Sequence, residues 1–185
     1  MTNKKNYKNV LVLAFIAVSS FTTALAQTSG TTNLHVVISP LLSITVQQTD
    51  VTLSFATLAD YQTNGATTTM TGHLSITSIL PYTVSLKANT ATLTGGTSGN
   101  TDVVNASAVT VTAPASTNNN NLPGKNLQTI ASLSTTAQPL IGGTYALAAL
   151  ADVNYSIPQA KVATEILGKK ADTYTAVLTY SITNP

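Results

Sequence analysis

The sequence predicts an all-β protein, an immunoglobulin-like antiparallel β-sandwich of about seven to eight strands. Three observations predict it. Apolar and β-branched residues alternate with Thr, Ser and Asn along most of the chain, turn residues interrupt the runs at short intervals, and helical character is confined to Ala160 to Leu167. Eight residues closed by Gly168 are too few to organise a fold as a helix.

The first 26 residues read as a secretory signal peptide rather than as part of the fold. Lys4, Lys5 and Lys8 precede the apolar run Val10 to Val18, and small residues follow at Ala24 and Ala26, where cleavage is expected. The run falls well short of the roughly 20 residues a spanning helix needs, so export is expected and stable membrane insertion is not. Residues 27–185 then form a single sandwich domain, long enough to bury roughly 70% of the unfolded surface. They carry five lysines against five aspartates and Glu165, a net charge of −1, and no arginine. The basic balance of the whole chain therefore belongs to the leader, and nucleic acid is not an expected partner.

Leu34, Val36 and Ile38 alternate behind a polar tail, and Pro40 separates them from Leu41 to Val46. Two readings of this segment stand side by side. It is an ordinary first strand that changes sheet at Pro40, or residues 31–39 leave their own domain and add as a strand to a neighbour, with Leu34, Val36 and Ile38 donated into pockets. Further strands are expected at Val51 to Phe55, Met70 to Leu80, Tyr82 to Ala88 and Val103 to Ala113. Asn64-Gly65, Gly95 to Asn100, Pro123-Gly124 and Gly142-Gly143 supply the turns between runs. Every second residue from Tyr145 to Ile157 is apolar until Pro158 stops the strand. In the last strand, Tyr174, Ala176, Leu178, Tyr180 and Ile182 share one face.

Chemistry is sparse. Without cysteine there is no disulfide, no thiolate metal site and no thiol nucleophile. His35 and His73 both fall in strand-like segments and no Gly-x-Ser-x-Gly elbow is present, so both are expected to be strand-face residues rather than bases. A hydrolase would have to use carboxylates such as Asp102 and Asp152, but the aspartates fall near strand ends, where Asp serves in turns. Gly95 to Asp102 lacks the spaced carboxylates of a calcium loop. No catalytic residue, cofactor or metal is expected. Asn118 to Asn121 reads as a flexible surface loop and Lys169-Lys170 as a solvated pair. The threonines do not recur at a fixed period, which argues against an ice-binding repeat.

An alternating segment behind a signal peptide, Val-Thr-Leu-Ser-Phe at Val51 to Phe55, and a closing Tyr-x-x-x-Leu-x-Tyr-x-Ile strand together resemble the pilin-like sandwiches of the spore-coat-U and archaic chaperone–usher group. Relatives commonly read Leu-x-Phe-Gly where this chain has Ala56 after Phe55, and many carry a cysteine pair that is absent here. The last strand is also similar to the end of the WxL cell-wall-binding domains, with Tyr180 where those have tryptophan. The first resemblance implies assembly by donated strand. The second implies peptidoglycan binding.

The function expected is that of a non-enzymatic structural protein, exported to the cell surface, extracellular space or periplasm. It would be a fimbrial or matrix subunit, or an adhesion module, that acts by β-strand addition to itself or to other surface proteins. Leu34, Val36 and Ile38 would be the donor side chains, and Tyr174, Leu178, Tyr180 and Ile182 the acceptor edge. The alternative is a monomeric glycan- or cell-wall-binding module with Tyr61 or Tyr82 as stacking platforms; packing within the sheets is the competing use of those rings.

Overall fold

The computed structural model describes residues 29–185, so the expected leader lies outside the described residues. Among these residues are twelve strands: β1 (Leu42–Val46), β2 (Ala66–Ser78), β3 (Tyr82–Ala88), β4 (Thr92–Gly95), β5 (Val103–Asn105), β6 (Thr110–Thr112), β7 (Asn126–Leu127), β8 (Thr129–Ile130), β9 (Gln138–Gly143), β10 (Ala146–Ile157), β11 (Tyr174–Thr175) and β12 (Leu178–Thr183). Their antiparallel ladders form a five-stranded sheet, β1-β2-β10-β6-β8, a four-stranded sheet, β12-β3-β9-β7, and a small sheet, β11-β4-β5. The all-β antiparallel class is as the alternation predicts. The higher strand number comes from very short pieces, several only two or three residues long.

All of these strands belong to the unit Ser39–Pro185, to which the described residues before Ser39 do not belong. One apolar core joins the larger sheets. Leu74 and Ile76 of β2, Val84 and Leu86 of β3, Leu140 and Ile141 of β9, and Val153 and Tyr155 of β10 are buried in it. Burial alternates with the sequence along β3, at Tyr82, Val84, Leu86 and Ala88. At the start of β10 it does not, because the register shifts between Ala146 and Ala149, leaving Tyr145 and Leu147 exposed and Ala146 buried.

The long β2–β10 pair is the spine, and its register shifts at two places, between Ala146 and Ala149 and between Ala151 and Val153. The second can be read residue by residue. Ala151 pairs with Leu74 and Val153 with Met70, so Thr71, Gly72 and His73 together oppose Asp152. Such a bulge requires a backbone turn that glycine makes without steric cost, and Gly72 has φ +61°. The Gly72 N–H that leaves the ladder donates to the Asp152 carboxylate at 2.6 Å. Burial disfavours the charge on Asp152, but that bond and those from Ser116 and Asn118 prevail and hold its pKa below the usual range.

The expected flexible loop at Asn118 to Asn121 is corrected here. Thr117–Asn120 forms a single helical turn capped by Ser116, and Asn119 is wholly buried. Its amide donates to Pro114 O at 2.7 Å and Asp152 O at 2.9 Å, and its oxygen accepts Asp152 N–H at 2.9 Å. Asparagine suits this position because its side chain offers the same donor and acceptor as a backbone unit, and it completes the ladder where β6 does not reach.

Other expectations change as well. Val103 to Ala113 is divided into β5 and β6 by the 3-10 turn Ala106–Ala108, whose two alanines are buried. Gly142-Gly143 is not a turn but the end of β9, paired with Thr83 and Tyr82. Glycine is needed there because a Cβ on Gly143 would lie 2.6–2.8 Å from the Tyr82 ring. The last strand is two strands in different sheets, since the chain leaves β11 after Thr175 and exposes Val177 before β12 begins. Val51 to Phe55, expected as a strand, joins no sheet.

Replacing Asn119 by alanine removes three buried hydrogen bonds and leaves Asp152 with an unsatisfied backbone N–H and C=O. We expect Asn119→Ala to lower stability by about 3 kcal/mol in urea unfolding, and Asn119→Asp, which loses both donations, to be no better.

Candidate functional site

The two sides of the sandwich end differently. On one side a single extended stretch passes from sheet to sheet: β7 pairs with β9, the Gln128 N–H donates to Leu140 O while Gln128 O accepts from Ala113 N–H, and β8 pairs with β6. That crossing closes the side. On the other side the sheets end in β1 and β12, which lie alongside each other with no strand bridging them among the described residues.

Register shows which way the side chains of these edge strands face. Leu42, Ile44 and Val46 are paired with Ser78, Ile76 and Leu74, all buried, so they occupy the core face of β1. Yet Leu42 is 39% and Val46 38% exposed, and Ile44 is only half-buried. On β12, Leu178, Tyr180 and Ile182 pair with the buried Ala88, Leu86 and Val84, and they too are half-buried. Six core-facing side chains thus line an incompletely covered edge. Val51, Leu53 and Phe55 also pack against the core only in part, and their backbone N–H groups find no backbone partner among the described residues.

The segment expected to be a donor has the opposite property. Residues 29–41 form no strand, which corrects the strand expected at Leu34 to Ile38, because an extended backbone is a strand only when a ladder satisfies its polar groups. Leu34, Val36 and Ile38 are 86%, 77% and 78% exposed, and Val37 is exposed beside them.

Tyr180 is the polar member of the open edge, and a buried hydrogen-bond chain fixes it. The Gln48 amide donates to Thr71 O at 3.2 Å, which turns its oxygen toward His73 Nδ1, also at 3.2 Å. Nδ1 must therefore carry the hydrogen, leaving Nε2 to accept from the Tyr155 hydroxyl at 2.9 Å. Tyr155 in turn accepts from the Tyr180 hydroxyl. Both tyrosine rings meet the His73 ring edge-on at 5.7 Å between centroids. Burial lowers the His73 pKa, pushes Tyr155 up to about 12 and raises Tyr180 as well. His73 is a residue of β2, as expected, and its face is the buried one, because the bulge at Gly72 turns it inward beside Leu74.

Of the four residues expected at the acceptor edge, the structure brings Leu178, Tyr180 and Ile182 together on β12 and puts Tyr174 elsewhere. Tyr174 lies on β11 and its hydroxyl donates to Lys170 O at 2.8 Å. Beside it, the Asp172 carboxylate accepts from Asn100 Nδ2, the Thr97 N–H and hydroxyl, and the Thr173 N–H, all within 3.0 Å, which holds its pKa well below the usual range. Asp102 accepts the Lys170 N–H at 2.9 Å. Gly95 to Asp102 is therefore clamped by an internal aspartate, and no metal-binding group of three or more His, Cys, Asp or Glu occurs among the described residues. The core-facing leucine, isoleucine and valine of β1 were missed as site residues in sequence. Their alternation is visible there, but the half-open environment depends on the far sheet.

Of the two expected stacking platforms, one is buried and the other half-buried. Tyr82 is buried over Gly143, and Tyr61 packs on Phe55 with its hydroxyl on Phe55 O at 3.0 Å. A shallow groove of about 390 Å³ between β4 and the β11–β12 gap is lined by Asn89, Thr90, Thr92, Thr94, Thr175, Ala176 and Val177, with no aromatic ring.

No helix among the described residues is long and apolar enough to cross a membrane. The chain matches no protein-family model and no curated protein.

Two expectations can be checked directly. The Tyr82 hydroxyl is buried without a hydrogen-bond partner, so Tyr82→Phe should leave thermal stability unchanged or raise it by up to about 1 kcal/mol. The His73 pKa lies below its ordinary 6.5 in the folded state, so the unfolded chain binds more protons; stability is full above about pH 6.5 and is lost as pH falls through that value. Asp152 and Asp172, lowered from 3.8, add a second loss below about pH 4. Melting curves taken across this range should show both declines, and His73→Gln should remove only the upper one.

Proposed function

We propose that this protein is an exported structural subunit of a surface fibre or matrix, completed by a β-strand from another copy of itself. The observation that carries this reading is the pairing of two incomplete surfaces in one chain. The β1–β12 edge presents two rows of three core-facing side chains, Leu42, Ile44 and Val46 on one strand and Leu178, Tyr180 and Ile182 on the other, all incompletely covered. Leu34, Val36 and Ile38 present a third row with the same two-residue spacing, exposed and without a ladder. Burying each such aliphatic side chain contributes about 1.5–3 kcal/mol, and the added strand also satisfies open backbone groups on the edges. The resemblance to pilin-like sandwiches of the spore-coat-U and archaic chaperone–usher group supports the same mode of assembly, and the leader pattern at residues 1–26 supports export. The alternative of a monomeric glycan-binding module has less support, since Tyr82 is buried and Tyr61 is half-buried with its hydroxyl bonded to Phe55 O.

The test is electrophoresis of the protein recovered from its native surface, with and without boiling. Strand exchange predicts a ladder that collapses to monomer on boiling, and Leu34→Ser, Val36→Ser and Ile38→Ser combined should abolish the ladder while the domain still unfolds cooperatively. A wild-type monomer band in both lanes would exclude the proposal.

A further inference from the structure

The hydrogen-bond chain behind Tyr180 has a direction, and only one buried group sets it. Neutral His73 accepts at Nε2, so Tyr155 donates to His73 and Tyr180 donates to Tyr155. With the ring protonated, both nitrogens donate. Tyr155 must then accept from Nε2 and turn its own hydrogen toward the Tyr180 oxygen, and the Tyr180 hydrogen loses its acceptor.

Where that hydrogen goes depends on the edge. On the open edge Tyr180 is half-buried and no strand among the described residues covers it, so an unpaired hydrogen costs less there than under a further strand. Beneath an apolar donor strand it would be sealed in with no partner, and a buried unsatisfied hydroxyl is costly. We propose that His73 is a proton-sensitive lock on the acceptor edge, whose protonation reverses the His73–Tyr155–Tyr180 chain and weakens binding of the donor strand. This rests on the strand-addition reading of the same edge.

The surroundings contain nothing that would compensate an imidazolium. From β10 the ring meets Tyr155, from β12 Tyr180, and from the stretch after β1 the neutral Gln48. Asp152, across the bulge, is already bonded to Gly72 N–H and Asn118. Asp50 is exposed beside Thr49, which donates to it. Lys87 of β3 pairs with Thr179, on the face opposite the Leu86–Tyr180 pair, and Tyr82 of the same strand has its hydroxyl over Gly143. The donor segment has its own titratable group, His35.

The experiment measures binding of a labelled Thr31–Ser39 peptide, carrying His35→Gln so that only the acceptor titrates. The acceptor is the full chain with Leu34→Ser, Val36→Ser and Ile38→Ser. Affinity should be about tenfold lower at pH 5 than at about pH 7.5. The difference should vanish in Tyr180→Phe, which has no hydroxyl to strand, and in His73→Gln, which has no proton to gain. Should either variant fold poorly, the unmodified acceptor supplies a second readout: by linkage, bound peptide must lower the His73 pKa, followed by NMR of the imidazole. Equal affinity at both pH values, or tighter binding in acid, would overturn the lock while leaving strand addition intact. Absence of binding at either pH would overturn strand addition itself, and the lock with it.

Discussion

Most of this fold depends on a single irregular contact, the bond between the Gly72 N–H and the Asp152 carboxylate. The bulge it stabilises interrupts the longest strand pair in the molecule and has effects on both faces. Outward, it holds Asp152 where Asn118 and Asn119 can reach it, and this anchors the helical turn Thr117–Asn120 against the spine. Inward, it turns His73 into the core, and from there hydrogen bonds run through Tyr155 to Tyr180 on the far sheet. A polar seam through an apolar sandwich is costly unless every member is satisfied, and each of these side chains has its partner. Tyr82, with no partner, shows what the seam avoids.

The two sides of the sandwich are closed by different physics. Where β7 and β8 run on from each other, covalent continuity shuts the side and no edge is left to protect. Where β1 and β12 meet, the sheets stop without a shared strand, and core-facing side chains remain partly in water. Proteins normally blunt such an edge with lysine, proline or a bulge. Neither β1 nor β12 contains a lysine or a proline. An apolar edge kept open is consistent with an edge meant to be filled, and the row at Leu34, Val36 and Ile38 is of matching composition.

Much of this was legible in the sequence, for identifiable reasons. Strict alternation in Tyr82 to Ala88 made β3 readable to the residue. The bounds of β10 were readable within one residue, but apolar residues on both faces of its first half hid the register shift that exposes Tyr145 and Leu147. The pieces that were not readable are those where tertiary contacts override the pattern. The alanines of Ala106–Ala108 look like strand residues but are buried in a turn, and Gly142-Gly143 looks like a turn but is flattened into β9 by the Tyr82 ring. Leu178, Tyr180 and Ile182 were readable as one face. Tyr174 was assigned to it because the alternation runs on through Ala176, whereas the chain changes sheets there. The role of Asn119 could not be foreseen, because four successive asparagines give no local sign of which one is buried.

That buried asparagine also ties the durability of the fold to a slow covalent reaction. Asparagine side chains lose ammonia over time when the following backbone nitrogen attacks the amide, and thermally robust proteins tend to use fewer of them. The nitrogen that would attack Asn119 belongs to Asn120, whose N–H is held by Ser116 O at 2.8 Å inside the helical turn, while the amide itself is fixed from two sides. Folding thus shields the group from its own decay. Each excursion that opens the turn lifts the shield, and a single hydrolysis would place a second carboxylate beside Asp152. Loss of this amide would therefore proceed at a rate set by how often the turn opens.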